Sequence, residues 1–173
     1  MMNFIDLAAD RYSVRSFSDR QIEQEKMDKI LKAAQLAPTA VNYQPQKIFV
    51  LKSVEAIEKI RSLCPSAYDA PVVLLICIDE NLVWKHPKEH GYRTDEMDAS
   101  IVCTHMMLEA WELGIGSVWV RAFDSRQVAK AFGLPKNIKP ICLLPIGYPS
   151  AESKPYAPWH NTFRSIEEMT EVL

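Results

Sequence analysis

Val72-Val73-Leu74-Leu75-Ile76-Cys77-Ile78 is apolar at every position. A strand that meets water on one side alternates between apolar and polar residues, so this run predicts a central strand covered on both faces. Its coverings lie on either side of it in the chain. Downstream, Met97 to Leu113 carries Ile101, Val102, Met106, Leu108, Ala110 and Leu113, which place apolar groups almost all round a helix. Such a helix belongs in a core or at a subunit interface. Gly114 ends it. Upstream, Gln24 to Leu36 repeats Met27, Ile30, Leu31 and Ala34 on one helical face, and Pro38 stops it.

The rest of the chain fits round this frame. Asn3 caps a short helix from Phe4 to Asp10, and Gln46 to Leu51 is a strand. Ser53 caps a helix with apolar positions Val54, Ile57 and Ile60. Ser117 to Val120 is a short strand, Asp124 caps a helix through Phe132, and Gly133 and Pro135 close it. Ile141 to Ile146 is a further strand that turns out at Gly147-Tyr148-Pro149, and a last helix begins near Ser165. Asp79 to Asp98 is polar and irregular, long enough to be a functional lid. Helices come first, then strands separated by helices, which gives an α+β or α/β sandwich of helices on a mixed sheet. No repeat or linker divides residues 1–173, so one domain is expected.

Composition narrows the function. The chain has 173 residues, 48% hydrophobic and 24% charged, with a formal net charge of −2. A nucleic-acid binder usually carries a basic excess, and none is present. No apolar stretch approaches the roughly 18 residues of a membrane span. Met1 to Asp10 lacks the charged start and apolar run of a signal peptide, so a cytoplasmic protein is expected. Cys64, Cys77, Cys103 and Cys142 are scattered among apolar neighbours without a CxxC pair, as expected of reduced core thiols. Gly114-Ile115-Gly116 lacks the third glycine of a dinucleotide fingerprint and precedes a strand.

Three stretches carry chemistry. In Arg11-Tyr12-Ser13-Val14-Arg15, residues 11, 13 and 15 project to one side of an extended chain, and two guanidinium groups with a hydroxyl can cradle a phosphate monoester. In Pro38-Thr39-Ala40-Val41-Asn42-Tyr43-Gln44-Pro45, Asn42 and Gln44 each offer a donor and an acceptor. Alternating carbonyls and nitrogens at a flavin edge suit such amides. In Gly114 to Phe123, which joins the buried helix to a strand, backbone amides near Arg121 and Ala122 are free to approach a ligand.

R-x-S-x-R followed one helix later by A-P-T-A-x-N-x-Q-P resembles the nitroreductase family. Leu113 to Trp119, Leu134-Pro135 and Leu144 to Pro149 resemble its middle and late segments, in the family's order and across nearly the whole chain. The resemblance implies a nitroreductase-like α+β fold, with a central mixed, mainly antiparallel sheet flanked by helices. It also implies an intertwined homodimer with two FMN sites. Arg11, Tyr12, Ser13 and Arg15 would lie on the phosphate and ribityl side. Pro38, Thr39, Ala40, Asn42 and Gln44 would reach the same flavin from the partner subunit. Backbone at Val120, Arg121 and Ala122 would lie beside the isoalloxazine, and Arg164 would be a C-terminal phosphate ligand. The implied activity is ping-pong electron transfer from NAD(P)H through FMN to nitroaromatic or quinone-like small molecules. No dedicated catalytic side chain and no metal are expected. Gln46, Tyr12 and Asn161 depart from the family pattern, which has an aromatic, a basic residue and a lysine at those places.

Rival readings exist. The same fold serves reductive dehalogenation, flavin breakdown, or mere carriage or sensing of FMN. His86-Pro87-Lys88-Glu89-His90 matches an inverted zinc-peptidase pattern, but Pro87 and Gly91 speak against a helix there. Met97 to Leu113 could instead be only a dimerisation helix of an interaction module. Trp84 and Tyr92 of the 79–98 segment are candidate contacts to the flavin or the acceptor.

Overall fold

A computed structural model describes residues 3–173. Seven helices and four strands are described: α1 (Phe4–Asp10), α2 (Gln24–Leu36), β1 (Gln46–Leu51), α3 (Val54–Leu63), β2 (Val72–Asp79), α4 (Asp95–Glu112), β3 (Gly116–Ser117), α5 (Ser125–Ala131), β4 (Ile138–Gly147), α6 (Ala157–His160) and α7 (Ile166–Met169). Short 3-10 turns lie at Ala40–Asn42 and Pro65–Ala67.

The expected caps are in place. Asn3 accepts from the Asp6 amide, Ser53 from Ala56, and Asp124 from both Arg126 and Gln127. Each meets a donor that a helix start leaves unpaired. Ser165 and Glu168 form a reciprocal capping box on α7.

The sheet order is β1-β2-β4-β3, and every ladder is antiparallel. A parallel bridge from Ser13 to Ser117 adds the mixed character at the β3 edge. Strand β2 is central, with its faces buried in two separate cores. Leu74, Ile76 and Ile78 pack with α2 and α4 through Ile30, Val102 and Met106. Val73, Leu75 and Cys77 pack on the opposite face with Ile57 and Ile60 of α3, Val128 of α5, and Val14. Residues 73–78 are fully buried. Each such aliphatic side chain contributes about 1.5–3 kcal/mol.

Four expectations about elements change. The strand expected at Ser117–Val120 is the two-residue β3, because Pro145 has no N–H to return to the ladder; the chain still follows β4 in register, with the Val118 amide donating to Pro145 O at 3.2 Å and Val120 bridging Leu143. Strand β4 starts three residues earlier than Ile141, because a register shift opposite Ile76 and Cys77 accommodates Pro140, which cannot donate to the ladder. The irregular segment ends earlier than Asp98, since α4 begins at Asp95. Within that segment Lys85 bridges Arg93. Helix α4 is not apolar all round: Ala99, Val102, Cys103, Met106 and Ala110 are buried at helical spacing, while Met97 is exposed. All four cysteines are buried and free. No described helix is long and apolar enough to cross a membrane.

Two glycines bring residues 13–17 against the sheet. A Cβ on Gly116 would stand 2.5 Å from Val14 Cγ2, and one on Gly147 would stand 2.9 Å from the Phe17 ring. Val14 donates its amide to Ser117 O at 2.9 Å, and Phe17 bridges Pro149. The extended arm is thereby fixed on the β3 edge, with Val14 inward and its neighbours outward.

Candidate functional site

Arg11, Tyr12, Ser13 and Arg15 line one cavity of about 170 Å³, together with Ala8, Ala9 and the tail aromatics Tyr156, Trp159, His160 and Phe163. The alternation expected from the sequence is realised because α1 ends at Arg11 and the chain continues extended. Arg11 is partly buried, and that burial lowers its guanidinium pKa from the ordinary value. Among the described residues no carboxylate lies within ion-pair distance of Arg11 or Arg15. Arg15 Nη1 donates to Ser13 O at 3.2 Å, and its guanidinium lies 5.9 Å from the Trp159 ring centre. A desolvated cation without an acid partner is costly unless an anion completes it.

Tyr12 has a different part. Its hydroxyl donates to Ser153 Oγ at 3.2 Å, and its ring meets Trp111 edge-on at 5.1 Å. It ties the tail to the arm. The tail aromatics are the lining residues that sequence reasoning missed. Their signal was the run Tyr156-Ala157-Pro158-Trp159-His160, masked by the prolines around it.

The second stretch lies apart and contributes nothing to the lining of this cavity. Residues 38–44 form the turn between α2 and β1. Thr39 Oγ1 accepts from the Gln44 amide at 3.0 Å, and Gln44 Nε2 donates to Asn42 Oδ1 at 3.1 Å. The two amides are therefore paired and exposed. Val41, Asn42 and Gln44 all have positive φ, at 54°, 56° and 50°. Such conformations in non-glycine residues cluster at functional sites.

In the third stretch, Val120 is buried and exchanges both backbone hydrogen bonds with Leu143 at 2.9 Å. Arg121 and Ala122 are exposed, and among the described residues their N–H groups donate to no protein acceptor. Arg164 is exposed on the tail, donates to Glu168 O at 2.8 Å, and does not line the cavity. In the 80–94 loop the rings of Trp84 and Tyr92 flank His86 edge-on at 5.5 and 5.9 Å. His86 Nδ1 accepts from the amides of Lys88 and Glu89, so residues 86–90 form a turn. The helix on which paired zinc histidines would need to sit is not formed.

The arginine cradle, the paired amides and the free N–H groups follow one another along the chain. The Nitroreductase family model matches residues 8–69 and 61–148. The chain belongs to the nitroreductase family. A solved nitroreductase family protein from Clostridium difficile 630 superposes with a TM-score of 0.90 at 41% identity, covering 98% of each chain. An FMN-dependent nitroreductase from Clostridium difficile R20291 superposes at 0.73 with 28% identity, covering 88% of this chain and 91% of that one. The FMN reductase [NAD(P)H] of Bacillus subtilis is 29% identical over 197 residues, covering all of this chain and 79% of its own length. These family members place the α+β architecture and its antiparallel sheet in a nitroreductase fold.

Proposed function

We propose that this chain is an FMN-dependent oxidoreductase that takes electrons from NAD(P)H and passes them to nitroaromatic or quinone-like acceptors. In this reading, residues 1–173 are one FMN-binding domain of a cytoplasmic homodimer. The observation that carries it is the cavity lined by Arg11, Ser13 and Arg15, whose cations have no acid partner among the described residues. A phosphate monoester with about two negative charges answers that deficit. The donor set fits one phosphate with a short polyol. A cavity of about 170 Å³ lies below the roughly 300–1,000 Å³ of pockets that enclose a whole ligand, so the rings must extend beyond it.

Each residue then has a task. Arg11 and Arg15 would neutralise the phosphate and Ser13 would donate to it, whereas Arg164, which lies outside the cavity and is bonded to Glu168 O, would have to swing in from the tail. Tyr12 holds the tail in place as the cradle's outer wall. The free N–H groups of Arg121 and Ala122, just beyond Val120, would be available to the ring, and Pro38, Thr39, Ala40, Asn42 and Gln44 of the second copy would hold its other edge. Bound FMN supplies the redox chemistry, and the protein orients it and excludes competing reactions. The dimer reading draws on a second feature. Phe4, Leu7, Ala33, Leu36 and Leu108 line an apolar groove of about 640 Å³ between α1, α2 and α4, with Phe4 63% and Leu36 68% exposed. Exposed apolar patches of that kind mark association surfaces.

The test is the visible spectrum of purified protein, before and after anaerobic NADH or NADPH, with mass measured in solution. A yellow dimer bleached by a nicotinamide and recoloured by a quinone or nitroaromatic is expected. A yellow protein that neither nicotinamide bleaches would replace the reductase with an FMN carrier. A colourless monomer without affinity for FMN would overturn the reading.

A further inference from the structure

The turn at residues 39–44 keeps three non-glycine residues in the left-handed region, where side chains crowd the backbone. Such a conformation persists only when surrounding contacts hold it. Of the hydrogen bonds residues 39–44 make among the described residues, one leaves the turn: the Ala40 amide donates to Asp98 Oδ1 at 2.9 Å.

Asp98 lies in the first turns of α4 and is 1% exposed. Its other oxygen accepts from Thr94 Oγ1 at 2.8 Å, and Thr94 is itself buried. The Thr94 amide donates to Trp84 O at 3.3 Å, which joins the same point to the 80–94 loop. Among the described residues no Lys, Arg or His lies within ion-pair distance of Asp98. Burying a carboxylate without a cation is unfavourable unless hydrogen bonds compensate it. The acid instead holds two donors, one on each loop.

We propose that Asp98 is a positioning residue of the flavin site, resting on the function proposed above. It pins Ala40 so that the strained turn presents the Asn42 and Gln44 amides in one fixed arrangement. Through Thr94 it makes that arrangement depend on the order of the 80–94 loop. Nothing in the sequence motifs points to it, because Asp98 sits more than fifty positions downstream of the turn it holds.

The test compares Asp98→Asn, Asp98→Ala and Ala40→Pro. Asparagine can still accept from Ala40 through its oxygen and donate to Thr94 Oγ1 through its nitrogen. Alanine loses both bonds. Proline at position 40 removes the donor while leaving Asp98 intact, and the first residue of a helical turn tolerates it. Three quantities are read: FMN dissociation constant by titration of the apoprotein, midpoint potential of the bound flavin, and apoprotein Tm. Losing a charge-assisted hydrogen bond that fixes a loop predicts about 10- to 100-fold weaker FMN binding in Asp98→Ala, with a shifted potential. Asp98→Asn should stay within about threefold of wild type. Ala40→Pro should weaken FMN binding as Asp98→Ala does, and the double variant should be no worse than Asp98→Ala alone.

If Asp98→Ala lowers Tm while FMN affinity and potential stay at wild-type values, Asp98 is merely structural and the inference is overturned. The same follows if Asp98→Asn is as damaging as Asp98→Ala. Wild-type protein that takes up no FMN overturns the proposed function and this inference with it.

Discussion

Replacing Gly116 with alanine should separate the cradle from the sheet that carries it. The added Cβ would lie 2.5 Å from Val14 Cγ2, 2.8 Å from its Cβ and 3.0 Å from Cγ1. Carbon atoms pack best at about 3.5–4.0 Å, so Val14 must retreat by about 1 Å. It cannot do so by rotating, because it is fully buried and a β-branched side chain has little freedom at χ1. The backbone from Ser13 to Arg15 must move instead, which strains the 2.9 Å bond from the Val14 amide to Ser117 O. Overpacking of this size costs about 1–3 kcal/mol, and at this chain length that lowers Tm by about 2–12 °C. Because Ser13 and Arg15 flank Val14, the cradle moves too. Losing one charge-assisted bond to a phosphate would weaken FMN binding by about 10- to 100-fold. Both quantities come from one preparation, by thermal melting of the apoprotein and by titrating it with FMN. A Gly116→Ala protein with unchanged Tm and unchanged FMN affinity would refute both the close contact and the assignment of the arm as the cradle.

Other perturbations test separate parts of the structure. The Glu23 carboxyl pKa is held down to about 2, first by the Tyr148 hydroxyl that donates to it at 2.6 Å, then by its own backbone amide and by Arg20. A depressed carboxylate contributes stability above its unfolded value and loses it as pH falls through its folded one. The stability advantage of wild type over Tyr148→Phe should therefore be full above about pH 4.5 and shrink towards pH 2. An advantage that does not change with pH across denaturation curves would contradict this. Asp95 accepts from Lys139 at 3.2 Å and pairs with Arg93 at 3.3 Å, which joins the 80–94 loop to α4 and β4. Both cations remain about one third exposed, so Asp95→Asn should cost only about 1–3 kcal/mol. It should also speed proteolysis within residues 80–94, and an unchanged cleavage rate would count against the latch. Burial pushes Cys77 up to about 12, and all four thiols are buried. A disulfide-exchange reagent near pH 8 should find no rapidly reacting thiol in the native protein and four after denaturation; fast native labelling would show the cores to be open.

Much of this protein was written in local sequence. Asn3, Ser53 and Asp124 cap helices because their side chains reach amides two or three residues away, a distance fixed by the chain itself. The bounds of α2 and β1 follow from periodicity and from Pro38 and Pro45. The seven apolar residues of β2 state that both faces are covered without saying by what. The motif order was also enough to suggest the family and to single out Arg11, Ser13 and Arg15.

Tertiary structure decided the rest, because the deciding contacts join residues far apart in the chain. Pro140 concealed the start of β4, and only the register shift against β2 shows how the strand continues past it. Trp159 and His160 reach the Arg11 cavity from the far end of the chain. Asp98 and Ala40 meet only because α2 and α4 share one core, which brings the start of α4 to the turn that follows α2. A sequence pattern records what each residue can do at its own position. Which distant donor or ring it finds there is fixed by packing, since two buried cores and one sheet leave the chain few ways to bring those elements together.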